Sequence, residues 1–151
     1  MTAEATAADT TPAPFRILPR IDDRNRFFWT SGADGRLRFL RCQDCGYFVH
    51  PPTPICPKCH SKDVAPEAVS GRATVATYTI NHQPWMPGLE PPFVVAIVEI
   101  EEQPDVRLTT NVVNCAPEDV RSGMPVTVLF EHHPDEPDDV YLPLFEPAKD
   151  S

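Results

Sequence analysis

Four of the chain's five cysteines, Cys42, Cys45, Cys56 and Cys59, stand as C-x2-C-x10-C-x2-C, and this spacing constrains the fold more than any other feature. Each pair sits on a tight turn, Cys42-Gln43-Asp44-Cys45-Gly46 and Cys56-Pro57-Lys58-Cys59. Two intervening residues let both sulfurs point at one ion while backbone N–H groups of the turn hydrogen-bond the thiolates. Four thiolates in a tetrahedron suit Zn2+ at about 2.3 Å, and they also suit a single iron. Two disulfides are the alternative in a small secreted domain. The lack of an apolar signal segment at the N-terminus argues against them.

A closed four-sulfur shell leaves no position for water or substrate, so one structural ion per chain is expected. It would hold a segment too short to build its own core, and its removal should melt that segment. His50 and His60 lie near the cysteines, but the sulfurs already fill the shell, and both are read as bystanders. A ribbon of this kind serves nucleic-acid binders and protein docking modules alike, so the metal alone assigns no function.

Composition narrows the choice. With 151 residues and 41% hydrophobic side chains, the chain is one ordinary domain or two small ones. Nineteen prolines favour loops and edges over long helices. No run approaches the roughly 18 apolar residues of a membrane span, and a cytoplasmic protein with reduced thiols is expected. The net charge of −9 is uneven. Residues 1–62 carry nine Lys/Arg against six Asp/Glu, and residues 63–151 carry four against sixteen. Such a chain repels a phosphate backbone overall.

Residues 1–14 are small, polar and Pro-containing, and read as a disordered tail. From Asp22 to about Ser31 a short helix is expected, with Asp22 and Asp23 complementing its dipole and Gly32 ending it. It carries Phe27, Phe28 and Trp29, which no single helix face can bury together. Arg36–Arg41 alternates basic and apolar residues as a strand does and leads into the first knuckle. Five strands follow: Gly71–Ile80, Phe93–Ile100, Val106–Val113, Val126–Glu131 and Val140–Leu144. The second and third read as a hairpin across the acidic turn Glu101–Asp105, and Pro117–Val120 as one helical turn. A single layer this small cannot cover its own faces. Closure into a five-stranded OB-type barrel is the economical solution, with a sandwich of short strands as the alternative. The expected class is therefore mainly β: helix plus zinc ribbon over 15–66, then an OB-fold barrel over 67–147. Among the acidic residues, Glu99, Glu101 and Glu102 read as an edge kept from pairing, and His132-His133 as the solvated start of a loop. No G-x-G-x-x-G, P-loop or G-x-S-x-G motif is present.

Several stretches, in this order, carry a resemblance. They are Phe28-Trp29, the knuckles Arg41–Gly46 and Ile55–Ser61 with Pro51-Pro52 between them, and Ser70–Val75 with Tyr78-Thr79. Pro92–Glu99, Thr110–Val113, Gly123–Val126 and Leu142–Pro147 complete the set. Over residues 22–147 the chain resembles the OB-fold proteins with a rubredoxin-like zinc ribbon that accompany thiolase-type enzymes of acyl-CoA metabolism. The resemblance implies a non-catalytic accessory subunit of a heteromeric thiolase, acyltransferase or aldolase. Such a subunit docks beside the partner's active site and helps hold the CoA thioester. Related domains are fused to hotdog-fold hydratases of sterol side-chain breakdown. One departure is His60, where many relatives carry glycine.

The candidate sites follow. Cys42, Cys45, Cys56 and Cys59 are the metal ligands. Phe27, Phe28, Trp29 and Trp85 are candidates for the partner interface, because buried aromatic anchors commonly dominate interface energetics. Arg26, Arg36 and Arg38, with Arg24 and Arg41 nearby and His82 in the Pro-rich loop Asn81–Pro92, are candidates for the CoA phosphates. Cys115 reads as a small buried hydrophobe rather than a nucleophile. No orienting carboxylate can be named for His82, so no catalytic residue is assigned. The alternative function, a zinc-ribbon and OB-fold nucleic-acid binder, needs a basic groove with stacking aromatics. The acidic barrel half disfavours it.

Overall fold

The computed structural model describes residues 15–149; the tail expected over 1–14 lies outside them. Two β units share one core. The first is a three-stranded sheet of β1 (Arg38–Cys42), β2 (Phe48–Val49) and β3 (Val64–Ala68), in the order β2-β1-β3. The second is a closed barrel of β4 (Arg72–Asn81), β5 (Phe93–Ile100), β6 (Gln103–Val112), β7 (Pro125–His133) and β8 (Val140–Pro147), ordered β4-β5-β6-β8-β7.

The barrel forms where side chains alternate. In β5, Val94, Ala96, Val98 and Ile100 point inward, and in β6 Val106, Leu108, Thr110 and Val112 do. Phe93–Ile100 is apolar except for Glu99, but its odd members are only half buried, on the outer face. The pairing of β4 with β5 slips between Val75 and Thr77, and this bulge lets a long strand bend around a small barrel. Closure depends on a parallel contact of β6 with β8, Val112 opposite Phe145, with Val113 N–H donating to the Phe145 carbonyl at 2.8 Å. The buried Thr110 hydroxyl donates to the Pro143 carbonyl at 2.8 Å, so this inward polar group is satisfied. The helical turn expected near Pro117 is a short 3-10 turn, Pro117–Asp119.

Three expectations are corrected. First, the helix is a single turn, α1 (Arg26–Trp29), followed by a 3-10 turn, Ser31–Asp34. Gly32 does not end the helix. It lies inside the 3-10 turn, where a Cβ would stand 2.5 Å from Phe130 Cγ and 2.6 Å from Tyr141 Cβ. The backbone there packs directly on β7 and β8, and the left-handed exit falls at Gly35, φ +78°. Second, β3 was not foreseen, and it crosses the 66/67 boundary. Its sequence VAPEA has weak strand propensity, yet it pairs with β1 from Cys42–Val64 to Arg38–Ala68. The flanking bonds Gln43 N–H to Asp63 O and Val69 N–H to Leu37 O turn Asp63 and Val69 toward β1. Pro66, three residues from each, therefore faces outward on the edge and blocks further pairing there. Third, the β5–β6 turn is only Glu101-Glu102, and the acidic residues there guard no edge, because the barrel is closed. Glu99 pairs with Arg107, Glu101 with Arg72, and Glu102 accepts from the Ser70 N–H.

Ribbon and barrel meet through Gln103. Its Oε1 accepts the Phe48 N–H at 2.9 Å and its Nε2 donates to the Phe48 carbonyl at 2.8 Å. One side-chain amide thus does for β2 what a neighbouring strand would do. The Tyr47 hydroxyl adds a 3.0 Å bond to Asp105. In the shared core Phe28 packs on Phe39, with centroids 5.8 Å apart, and both rings pack on His50.

Candidate metal centre

The two knuckles face each other at the tip of the ribbon. The ligand sulfurs of Cys42, Cys45, Cys56 and Cys59 all lie within 4.8 Å of one another. Cys42 Sγ is 3.5 Å from Cys59 Sγ, and Cys45 Sγ is 3.7 Å from Cys56 Sγ. A disulfide would need about 2.05 Å. A tetrahedron with metal–sulfur bonds of about 2.3 Å has edges of about 3.8 Å. The arrangement therefore fits a four-thiolate metal site and not two disulfides.

The surrounding backbone is built for thiolates. Cys45 N–H points at Cys42 Sγ at 3.4 Å and Lys58 N–H at Cys56 Sγ at 3.3 Å. The Cys45 N–H is the main cause holding the Cys42 thiol down at about 6. Cys59 is pushed up to about 12: the Ser61 N–H favours its thiolate, but the bond to Cys42, loss of water and the other two sulfurs outweigh it. Four sulfurs this close cannot all ionise without a cation among them, which a bound dication supplies. The knuckles themselves are closed by Gly46 N–H to Cys42 O and His60 N–H to Cys56 O, at 3.0 and 2.9 Å. Gly46 and His60 occupy equivalent left-handed positions, φ +82° and +63°.

Neither nearby histidine joins the sulfur cluster. His50 is packed between Phe28 and Phe39, and burial pushes it down to about 4, so it is neutral at pH 7. His60 is exposed at the turn.

The other candidates are dispersed. Phe28 is 3% exposed and belongs to the chain's own core, so it is withdrawn as a partner contact. Phe27 and Trp29 are half buried against that core, while Trp85 is 70% exposed, its indole N–H donating to Asn81. Arg26 is engaged by Asp23 and Asp138, and Arg38 is bidentate to Asp34, whose carboxyl it holds down at about 2. Both guanidinium groups are thus already neutralised. Arg36 is exposed and makes no ion pair among the described residues. His82 is exposed in the β4–β5 loop. Clefts of about 380, 220 and 460 Å3 are lined by none of these four. The largest lies beside the ribbon between Phe27, Leu40, Pro52, Pro54 and Val64. Cys115 is half buried against the core and burial pushes its thiol up. Of the two histidines expected to be solvated, His133 instead keeps only 12% side-chain exposure in a bond to Glu131, while His132 is exposed and stacks on Tyr141.

Comparison with known proteins follows the same division of the chain. A family model described as the ChsH2 rubredoxin-like zinc ribbon domain matches residues 29–65, and one described as the ChsH2 C-terminal OB-fold domain matches 66–131. A DUF35 domain-containing scaffold protein of Methanocaldococcus jannaschii is 39% identical over 102 residues, covering 66% of this chain and 71% of that protein. The chain belongs to the ChsH2/DUF35 family. Within it, a probable enoyl-CoA hydratase alpha subunit of Thermomonospora curvata is 38% identical over 91% of this chain. The chain spans only 41% of that subunit's length. A solved Ltp2-ChsH2(DUF35) aldolase chain superposes with a TM-score of 0.74 and 37% identity, covering 86% of this chain and 98% of that one. A Sulfolobus solfataricus DUF35 protein at 17% identity and a TM-score of 0.54 shares the fold.

Sequence reasoning passed over Arg16 and its neighbours, and Gln103. Arg16 lies in an unstructured-looking stretch and Gln103 in an assumed turn. The alternation of Phe15-Arg16-Ile17 is the local signal that could have marked the first.

Proposed function

We propose that this chain is a non-catalytic accessory subunit of a heteromeric thiolase-superfamily enzyme, a thiolase, acyltransferase or aldolase, acting on acyl-CoA thioesters. The observation that carries the reading is the likeness to the DUF35 chain of an aldolase, 98% of which this chain covers at 37% identity. Relatives named as hydratase alpha subunits and as scaffold proteins point the same way. The chain's own chemistry agrees. Its sulfur site has no open position for catalysis, and the described clefts gather no nucleophile with a base.

In this reading the partner supplies nucleophile and base, and this chain supplies a rigid docking body with one structural Zn2+ held by Cys42, Cys45, Cys56 and Cys59. Trp29 and Trp85 are the aromatic candidates for the partner surface, and Arg36, exposed and without an ion pair among the described residues, is the candidate for a CoA phosphate. The complex is hetero-oligomeric and cytoplasmic, and nucleic acid is not a partner. Co-expression with the thiolase-type subunit encoded with it tests this. The two should co-purify through gel filtration. Separate elution at micromolar concentrations would remove the proposal.

A further inference from the structure

The segment ahead of the helix presents its side chains in an inverted order. Over Phe15–Leu18 the backbone belongs to no helix or strand, and alternate residues face opposite ways. Arg16 turns inward. Its Nε and Nη2 donate to the Glu131 carboxylate at 2.8 and 3.2 Å, and its Nη1 donates to Asn111 Oδ1 at 2.9 Å. Glu131 also bonds the His133 ring at 2.7 Å, and the Arg16 and Glu131 side chains keep only 22% and 14% exposure. The charged residue is thus the anchor, and its apolar neighbours Phe15 and Ile17 stand 51% and 74% exposed.

A second element completes the surface. Gly88 of the β4–β5 loop has φ +93°, and a Cβ there would stand 2.7 Å from Phe15 Cβ, so the loop backbone lies directly on Phe15. Three residues earlier in the same loop, Trp85 is 70% exposed. Three of the five large exposed hydrophobics among the described residues therefore lie on the Phe15–Leu18 strap and on the loop that it touches. A bidentate, partly desolvated latch orders the strap while leaving that apolar area in water. This makes physical sense where another surface covers it.

We propose that Phe15, Ile17 and Trp85 form the docking surface for the enzyme subunit, which presents an apolar recess rimmed by Lys and Arg. The rim is argued from charge: residues 72–147, which build the barrel, carry thirteen acidic side chains against three basic ones, and Glu90 flanks the cleft beside the strap. The proposal rests on the accessory-subunit reading. Arg16 is a positioning residue that holds Phe15 and Ile17 outward.

The test measures binding of the full-length, metal-loaded chain to the thiolase-type subunit encoded with it, by titration calorimetry. Phe15→Ser with Ile17→Ser, and Trp85→Ser alone, should each weaken binding about tenfold or more, with melting temperature and metal content unchanged because all three side chains are exposed. Ile55→Ser, an exposed apolar change on the ribbon, should leave binding as it was. Unchanged affinity in both Phe15/Ile17 and Trp85 variants would overturn this surface while leaving the accessory role standing. So would a loss confined to Ile55→Ser. Absence of any complex with the wild-type chain would sink the accessory role itself, and this surface with it.

Discussion

His60 holds a backbone angle of φ +63°, in the region that disfavours any side chain with a Cβ, at the position equivalent to Gly46 in the other knuckle. The conformation is imposed by closure of the knuckle through His60 N–H and Cys56 O. Replacing His60 by glycine should stabilise the ribbon by about 0.5–1 kcal/mol, visible as slower metal loss to a chelator. His50 makes a different contribution. Its ordinary pKa of 6.5 applies to the unfolded chain, and burial lowers it to about 4 in the folded one. Between those values the unfolded chain binds more protons, so stability falls as pH drops from 6.5 toward 4. Allowing for its partial exposure, the loss from pH 7 to pH 4.5 is about 2 kcal/mol. Acid also strips metal from cysteines, so the clean measurement is the difference between wild type and His50→Phe in urea melts at each pH. Wild type should lose about 2 kcal/mol relative to His50→Phe between pH 7 and pH 4.5.

At the scale of elements, legibility followed locality. The four cysteines were readable because two residues fix a knuckle, and the barrel strands because inward and outward residues alternate. β3 was not readable, because VAPEA becomes a strand only through β1. The helix was overdrawn because Gly32 reads as a stop in sequence and is in fact a close approach to Phe130 and Tyr141. Gln103 belongs here too, since only the fold brings it to Phe48, 55 residues away. Gln103→Ala leaves the Phe48 N–H and C=O unpaired, and should cost about 2 kcal/mol. Hydrogen exchange should then rise in β2 while the barrel strands keep their protection. Removing the metal with a strong chelator should likewise expose the knuckles and β1–β3 to exchange first. Equal, simultaneous loss in barrel and ribbon would contradict this division.

The whole molecule is a closed barrel with no β-edge left to pair, a ribbon whose edge is blocked by Pro66, and a mild basic excess confined to residues 1–62. Among the described residues, three of the five large exposed apolar side chains, Phe15, Ile17 and Trp85, sit on a strap and a loop and line none of the clefts of about 380, 220 and 460 Å3. Such a body is suited to completing another protein. Which aromatic residues face outward was not legible in the sequence, because exposure is decided by packing: Phe28 and Trp29 are neighbours, yet Phe28 is buried and Trp29 is only partly so. The most direct measurement is steady-state acyl-CoA turnover by the purified thiolase-type subunit, with and without an equimolar amount of this chain. The account predicts low or absent activity alone, restored on addition, and no turnover by this chain by itself. Identical partner activity in both conditions would contradict it.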